Sequence, residues 1–180
     1  MENRATSSLN YDESNPIISM KTLYMLRHAK SSWKHDVIDH ERPLNKRGEN
    51  DALLLSSIVA STIAKPELII SSDANRALTT ATYFKNAFDV ADNNLCTNHQ
   101  LYDFGGQQVM EVIKSIDHSI NIAMVVGHNY AFTSIVNTLG NKTIDNLPTC
   151  GFVVIEFEIE DWKMIHSGTT LHTFFPKDHK

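Results

Sequence analysis

The stretch Leu23-Tyr-Met-Leu-Arg27-His28-Ala-Lys-Ser-Ser-Trp33 decides the reading of this chain. Four apolar residues run straight into an arginine, a histidine and then small and hydroxyl-bearing residues. A short apolar run that ends in loop signals is what a buried parallel strand looks like in sequence. In open α/β sheets, ligands bind just beyond the carboxyl ends of the strands. Arg27 and His28 would therefore stand where such a sheet does its chemistry. A guanidinium grips phosphate oxygens as a bidentate fork, and a neutral imidazole can attack phosphorus. Taken alone, the dipeptide reads better as a strand-end Arg and His facing solvent, so the rest of the chain has to overturn that reading.

Two more runs repeat the pattern. Glu67-Leu-Ile-Ile-Ser-Ser72 is a second short buried strand, followed by Asp73-Ala-Asn-Arg76 at the start of a helix reaching about Phe88. Arg76 falls in that helix's first turn, where free N–H groups and the dipole favour anions. Asn121-Ile-Ala-Met-Val-Val126 is a third buried strand, closed by Gly127-His128-Asn129, and a helix follows from about Tyr130 to Leu139. Asn45 reads as the N-cap of a first helix whose apolar face is Ala52, Leu55, Ile58, Val59 and Ile63. A short strand is expected around Leu95–Thr97 and a further helix from Gln107 to about Ile116. Phe152 to Ile159 alternates in strand fashion, and Trp162 to His166, extending toward Thr170, is expected to pair with it as a hairpin. Strands alternating with helices imply an α/β fold: a three-layer sandwich with a mostly parallel central sheet flanked by helices on both faces.

Composition narrows the classes. The chain has 180 residues, enough for one sizeable core, and its 42% hydrophobic and 21% charged content excludes fibrous and low-complexity classes. A net charge of -5 gives no electrostatic footprint for nucleic acid or an anionic membrane surface. Any anionic ligand must be held by a local cluster of basic groups. The longest apolar run is about five residues, far below the ~20 needed to span a bilayer. Cys96 and Cys150 lie outside metal-type spacing and read as buried, reduced thiols, which points to a cytoplasmic protein. Residues 1–20 carry no secretory pattern and are expected to be a flexible leader, docking at most through Ile17 and Ile18. Met20 is a candidate start of the physiological chain, and residues 21–180 are expected to form a single domain.

Three strand ends thus carry basic groups: Arg27 with His28, Arg76, and His128. Three such ends converging make a phosphate pocket. With their context they resemble the histidine phosphatase superfamily, and within it the phosphohistidine phosphatase SixA-type branch, over roughly residues 21–170. The motifs that carry the resemblance are Leu-Arg27-His28-Ala-Lys-Ser, Arg42-Pro-Leu-Asn-Lys-Arg-Gly48, Ser71-Ser72 with Arg76-Ala-Leu-Thr79, and Val-Gly127-His128-Asn.

The resemblance implies a phosphoglycerate-mutase-like fold. It also implies a metal-independent phosphatase acting on phosphohistidine in a protein or on a small phosphorylated compound. His28 would be the nucleophile, neutral and forming a phosphohistidine intermediate. Arg27, Arg76 and a charged His128 would hold the phosphoryl oxygens. Lys30, Ser31 and Arg42 are candidate substrate contacts, with Ser32 a further donor; for Arg42, loop anchoring is the alternative. No cofactor, nucleic acid or membrane is expected as a partner.

Two positions depart from the superfamily pattern. Ala29 replaces the glycine of its RHG element, which is tolerable if φ stays negative. No carboxylate clearly matches the general acid that protonates an alcohol leaving group. Asp103 is the nearest candidate, and a turn-forming Asp before Gly105-Gly106 is its other reading. SixA-like members are taken to lack that acid, which suits a phosphoramidate, the easier leaving group.

The remaining histidines, His35, His40, His99, His118, His166, His172 and His179, show no i, i+4 zinc pairing, so no metal is expected. His35 and His40 are placed at the pocket mouth. A phosphomutase would need an acid/base carboxylate, and a phosphate-binding module would need cations but no nucleophile. Substrate choice resides in the loops 30–45, 98–107 and 141–150.

Overall fold

The computed structural model describes residues 19–180. The leader expected over residues 1–20, with Ile17 and Ile18, falls almost entirely outside the described residues. Six strands form one sheet: β1 (Met20–Arg27), β2 (Leu68–Ser71), β3 (Leu95–Thr97), β4 (Ile122–Gly127), β5 (Phe152–Glu158) and β6 (Thr169–Phe174). Their order is β3-β2-β4-β1-β5-β6. The first four are mutually parallel where they pair, and β5 and β6 complete the sheet antiparallel.

Alternation along β1 sends its side chains into two separate cores. Leu23 and Met25 pack with α3 (Gln107–Lys114) and α4 (Ala131–Leu139). Tyr24 and Leu26 pack with α1 (Lys46–Thr62) and α2 (Asn75–Ala87) on the opposite face. The fold is therefore the expected helix–sheet–helix sandwich. Because β1 and β4 are parallel neighbours with Arg27 opposite Gly127, His28 and His128 leave the sheet side by side.

Asn45 caps α1 as its sequence suggested, with Oδ1 accepting from the Gly48 N–H at 2.9 Å. The loop from Lys30 to Asn45 closes on itself before α1 begins. Ser32 N–H donates to the Pro43 carbonyl at 2.8 Å and Asn45 N–H to the Lys30 carbonyl at 2.9 Å. Gly48 lies against this closure, where a Cβ would come within 2.1 Å of the Lys30 carbonyl oxygen.

Two expectations need correction. The hairpin partner of β5 is Thr169–Phe174, not the segment starting at Trp162. Trp162–Met164 is a short 3-10 turn that buries the indole and donates its Nε1–H to the Ile120 carbonyl at 2.9 Å. Cys150 is buried, but Cys96 sits exposed on β3, the edge strand. No helix among the described residues is long and apolar enough to cross a membrane.

Candidate active site

The ends of β1, β2 and β4 open onto a cavity of about 550 Å³. Its wall includes Arg27, His28, Lys30, Ser31, Trp33, Asp39, Arg42, Arg76, Tyr102, Phe104 and Thr149. Six of the eight candidate site residues read from the sequence are thus brought together. His128 and Asp103 are not on this wall.

His28 is fixed from several directions. Its backbone N–H donates to the Gly127 carbonyl at 3.0 Å, and its own carbonyl accepts from Cys150 N–H at 3.1 Å. Cys150 reaches it from a left-handed conformation with φ of 60°. On the ring, Nδ1 lies 2.7 Å from the Ala29 carbonyl. A carbonyl can only accept, so Nδ1 carries the proton and Nε2 keeps its lone pair. Arg76 Nε, 3.3 Å away, donates to that lone pair. Burial pushes the ring's pKa down to about 3, against the pull of the Ala29 bond and with help from the Arg76, Arg27 and Arg42 charges. His28 is therefore a neutral, oriented imidazole at neutral pH, with its Nε2 lone pair on the pocket side. Ala29 is fully buried and is not among the described residues with positive φ, so it needs no glycine. Its N–H donates to Thr80 Oγ1 at 3.0 Å.

The guanidinium groups are held by backbone and hydroxyl partners. Arg27 Nη1 donates to the Leu147 carbonyl at 2.6 Å, and its buried Nε has no protein partner. Arg42 Nη2 donates to Ser31 Oγ at 2.8 Å, its Nη1 is buried without a partner, and Trp33 lies over its guanidinium at 3.4 Å. Unpartnered buried donors are expensive. Their concentration around one ring marks a pocket shaped for an anion.

Asp39, absent from the sequence-based candidates, is the carboxylate of the cavity. Arg76 Nη2 meets its Oδ2 at 2.9 Å, Arg42 Nε lies 3.2 Å from its Oδ1, and the Tyr102 hydroxyl donates to it. Burial opposes ionisation of Asp39, but Tyr102 and Arg76 outweigh it and hold the carboxyl below its ordinary range.

His128 is fully buried beneath Tyr102 and Phe104, with its ring centroid 5.0 Å from that of His28. Its Nε2 is hydrogen-bonded to Ser72 Oγ at 2.9 Å, and that oxygen also accepts from Ala74 N–H. Nδ1 is buried without a protein partner. Burial, then His28 and Arg76, push its pKa down to about 2. Burial therefore favours a neutral His128 in place of the charged ring expected from sequence.

Asp103 faces α3. Its Oδ2 accepts from the N–H groups of Gly106, Gln108 and Val109, and its Oδ1 from Gly105 N–H. Gly106 has φ of 100°, a conformation that suits glycine. The carboxylate therefore caps a helix start, where the dipole favours it. The turn reading of the Asp-Phe-Gly-Gly motif is the one the geometry supports.

Sequence reasoning missed Trp33, Asp39, Tyr102, Phe104 and Thr149, which belong to three loops distant in the chain. Only their membership of long polar loops signalled them. It also missed that His40, Asp73 and His99, far apart in sequence, meet at the rim.

The model of the histidine phosphatase superfamily (branch 1) matches residues 23–95. A chloroplastic uncharacterized protein of Arabidopsis thaliana is 30% identical over 152 residues, covering 79% of this chain and 69% of that protein. A protein of Agrobacterium tumefaciens designated SixA superposes with a TM-score of 0.73 at 23% identity, over 87% of this chain and 98% of that one. The protein histidine phosphatase SixA bound to tungstate gives a TM-score of 0.75 at 15% identity, over 88% and 99% of the two chains. These likenesses in fold, the sequence match and the Arg-His strand end agree: the chain belongs to the histidine phosphatase superfamily.

Proposed function

We propose that this chain is a metal-independent phosphatase of the SixA-like branch that works through a phosphohistidine intermediate on His28. Family membership supports phosphatase activity in general. The observation that carries the finer reading is the neutral His28 ring, with Nδ1–H spent on Ala29 and Nε2 facing a pocket of arginines.

In the first step the Nε2 lone pair attacks phosphorus as the bond to the leaving group breaks, and the leaving group departs with that electron pair. Arg27, Arg42 and Arg76 balance the phosphoryl charge, with Arg76 moving its Nε–H off the Nε2 lone pair and its Nη2 off Asp39 to meet phosphoryl oxygens. Ser31 and Lys30 add donors at the mouth. His128, neutral and packed with its ring 5.0 Å from that of His28, backs the nucleophile's ring from behind. In the second step water attacks phosphorus, the P–N bond breaks back to Nε2, and orthophosphate leaves.

The carboxylate on the cavity wall is ionised and ion-paired, and Asp103 is occupied as a cap. Neither supplies a proton to an alkoxide. The pocket therefore suits a leaving group that needs little help, such as the imidazole of phosphohistidine in a protein substrate, ahead of a small phosphate monoester.

The test is phosphate release from a phosphohistidine-bearing protein and from p-nitrophenyl phosphate. Wild type turns over both in the presence of EDTA and favours the phosphohistidine substrate, whereas His28→Ala falls to background. Arg76→Ala loses about 10²–10³ in kcat, the scale of removing one preorganised donor. Turnover that persists in His28→Ala, or that is lost on chelation, defeats this mechanism. Phosphate binding with no turnover in wild type would make the chain a phosphate-binding module.

A further inference from the structure

We propose that His40, Asp73 and His99 form a binding site for one divalent transition-metal ion of the zinc, cobalt or nickel class at the rim of the pocket. The three residues come from separate segments: the 3-10 turn Asp39–Glu41 ahead of α1, the turn between β2 and α2, and the 3-10 turn His99–Leu101 after β3. His40 Nε2 is 2.9 Å from Asp73 Oδ1, and His99 Nδ1 is 2.8 Å from Asp73 Oδ2. The donor atoms of all three lie within 4.8 Å of one another.

Two imidazoles and a carboxylate are the borderline nitrogen and oxygen set that such ions take, whereas magnesium and calcium prefer oxygen alone. The spacing fits an ion as well. Asp73 Oδ1 lies 2.9 Å from His40 Nε2 and 3.1 Å from His99 Nδ1, so ligand atoms about 2.1 Å from a metal would subtend roughly 85–95° at it. The carboxylate oxygen would then sit cis to both nitrogens, with the remaining positions open to water. Two nitrogens on one ion stand at most about 4.2 Å apart, so the rings need to close by no more than about 0.6 Å. The His99 side chain is 74% exposed and free to make that adjustment.

The cluster is already assembled without an ion, since each ring donates an N–H to the carboxylate between them. Each ring can move its proton to the other nitrogen and release a lone pair to the ion.

The location gives the site its purpose. Asp39 precedes His40, Arg76 lies one helical turn beyond Asp73, and Tyr102 comes after His99 in the same loop. All three neighbours line the cavity. Tyr102 also sets its ring edge-on against His40, with centroids 5.2 Å apart. An ion here ties together the three segments of the cavity wall without touching the phosphoryl group. This site does not depend on the phosphatase reading.

The experiment uses the full chain, stripped with EDTA and exchanged into metal-free buffer at pH 7.5. Co²⁺ is followed by its visible absorption and Zn²⁺ by calorimetry. One ion per chain is expected, with a dissociation constant on the order of micromolar. Zn²⁺ should raise the Tm of wild type by mass action and leave His99→Ala unmoved. His99→Ala and His40→Ala should each bind at least about tenfold more weakly, while His118→Ala binds as wild type. His99→Ala removes an exposed side chain, so it reads the site without threatening the fold. Absence of saturable binding in wild type overturns the proposal, and so does undiminished binding in both His99→Ala and His40→Ala.

Discussion

Gly48→Ala is a sharp test of how the pocket loop is held, because two effects oppose each other and the geometry says which wins. Gly48 is the third residue of α1, and replacing glycine by alanine in a helix normally gains up to about 1 kcal/mol. Here the new methyl carbon would stand 2.1 Å from the Lys30 carbonyl oxygen and 2.9 Å from both Lys30 C and Lys30 N. These are backbone atoms, so no side chain can swing aside. Restoring even a tight contact of about 3.0 Å means moving helix and loop apart by about 0.9 Å.

That same carbonyl accepts the Asn45 N–H, and Gly48 N–H itself donates to the Asn45 cap. Losing one of these bonds costs about 1 kcal/mol, and overpacking costs about 1–3 kcal/mol. The helix gain does not offset this, so the variant should lose about 1–3 kcal/mol net. In a chain of this size that lowers the Tm by several degrees, at about 2–4 °C per kcal/mol. The displaced segment carries Lys30 and Ser31, so a shift near 1 Å should also cut turnover by up to about 100-fold. Urea unfolding and p-nitrophenyl phosphate kinetics measure both. A Gly48→Ala variant as stable as wild type, or more so, would refute the reasoning. Lowered stability with unchanged turnover would refute the link from helix to pocket.

The site itself yields two further expected outcomes. In the folded chain His28 and His128 bind a proton only near pH 3 and 2, whereas in the unfolded chain they do so near about 6.5. The unfolded state therefore takes up more protons below pH 6.5, and stability is complete above that value and falls as pH drops toward 3. At pH 5 the coupled pair should have lost on the order of 2–4 kcal/mol. Urea melts at pH 7.5 and 5.0 should show a smaller difference for His128→Gln than for wild type, and equal differences would count against this origin. Asp103→Asn should destabilise by about 1 kcal/mol through its weakened cap while leaving kcat within a few-fold of wild type. A fall of about 100-fold on p-nitrophenyl phosphate would instead make Asp103 the general acid.

The parts of the site that lie on strands were legible because burial writes itself into sequence. The runs Leu23–Leu26 and Ile122–Val126 can only be interior strands, so Arg27-His28 and Gly127-His128 must stand at strand ends. Asn45 announced its helix by residue type and position. Asp39, Tyr102 and Phe104 carry no such mark, since their meeting depends on how three loops cross in space. Asp103 was ambiguous for a related reason: a carboxylate ahead of two glycines suits both a turn and a catalytic acid, and only its four backbone donors separate them. The edge of the sheet misled in two ways. Thr169–Phe174 has too many polar residues to advertise itself as a strand, while the apolar content of Trp162–Ile165 reflects a buried indole in a turn. Cys96 is exposed because β3 is the outermost strand, with one neighbour to cover it.

The strand order has a consequence for how the molecule comes into being. β1 ends next to His28 and emerges first of the six, yet its hydrogen-bonded neighbours are β4 and β5, in which Thr22 faces Ile122 and Leu26 faces Phe152. Both edges of the strand bearing Arg27 stay unsatisfied until most of the chain has been synthesised. Closing such distant pairings is slow, and open strand edges invite association with other chains. His28 thus acquires its orientation, its depressed basicity and its neighbouring guanidinium groups in one late event.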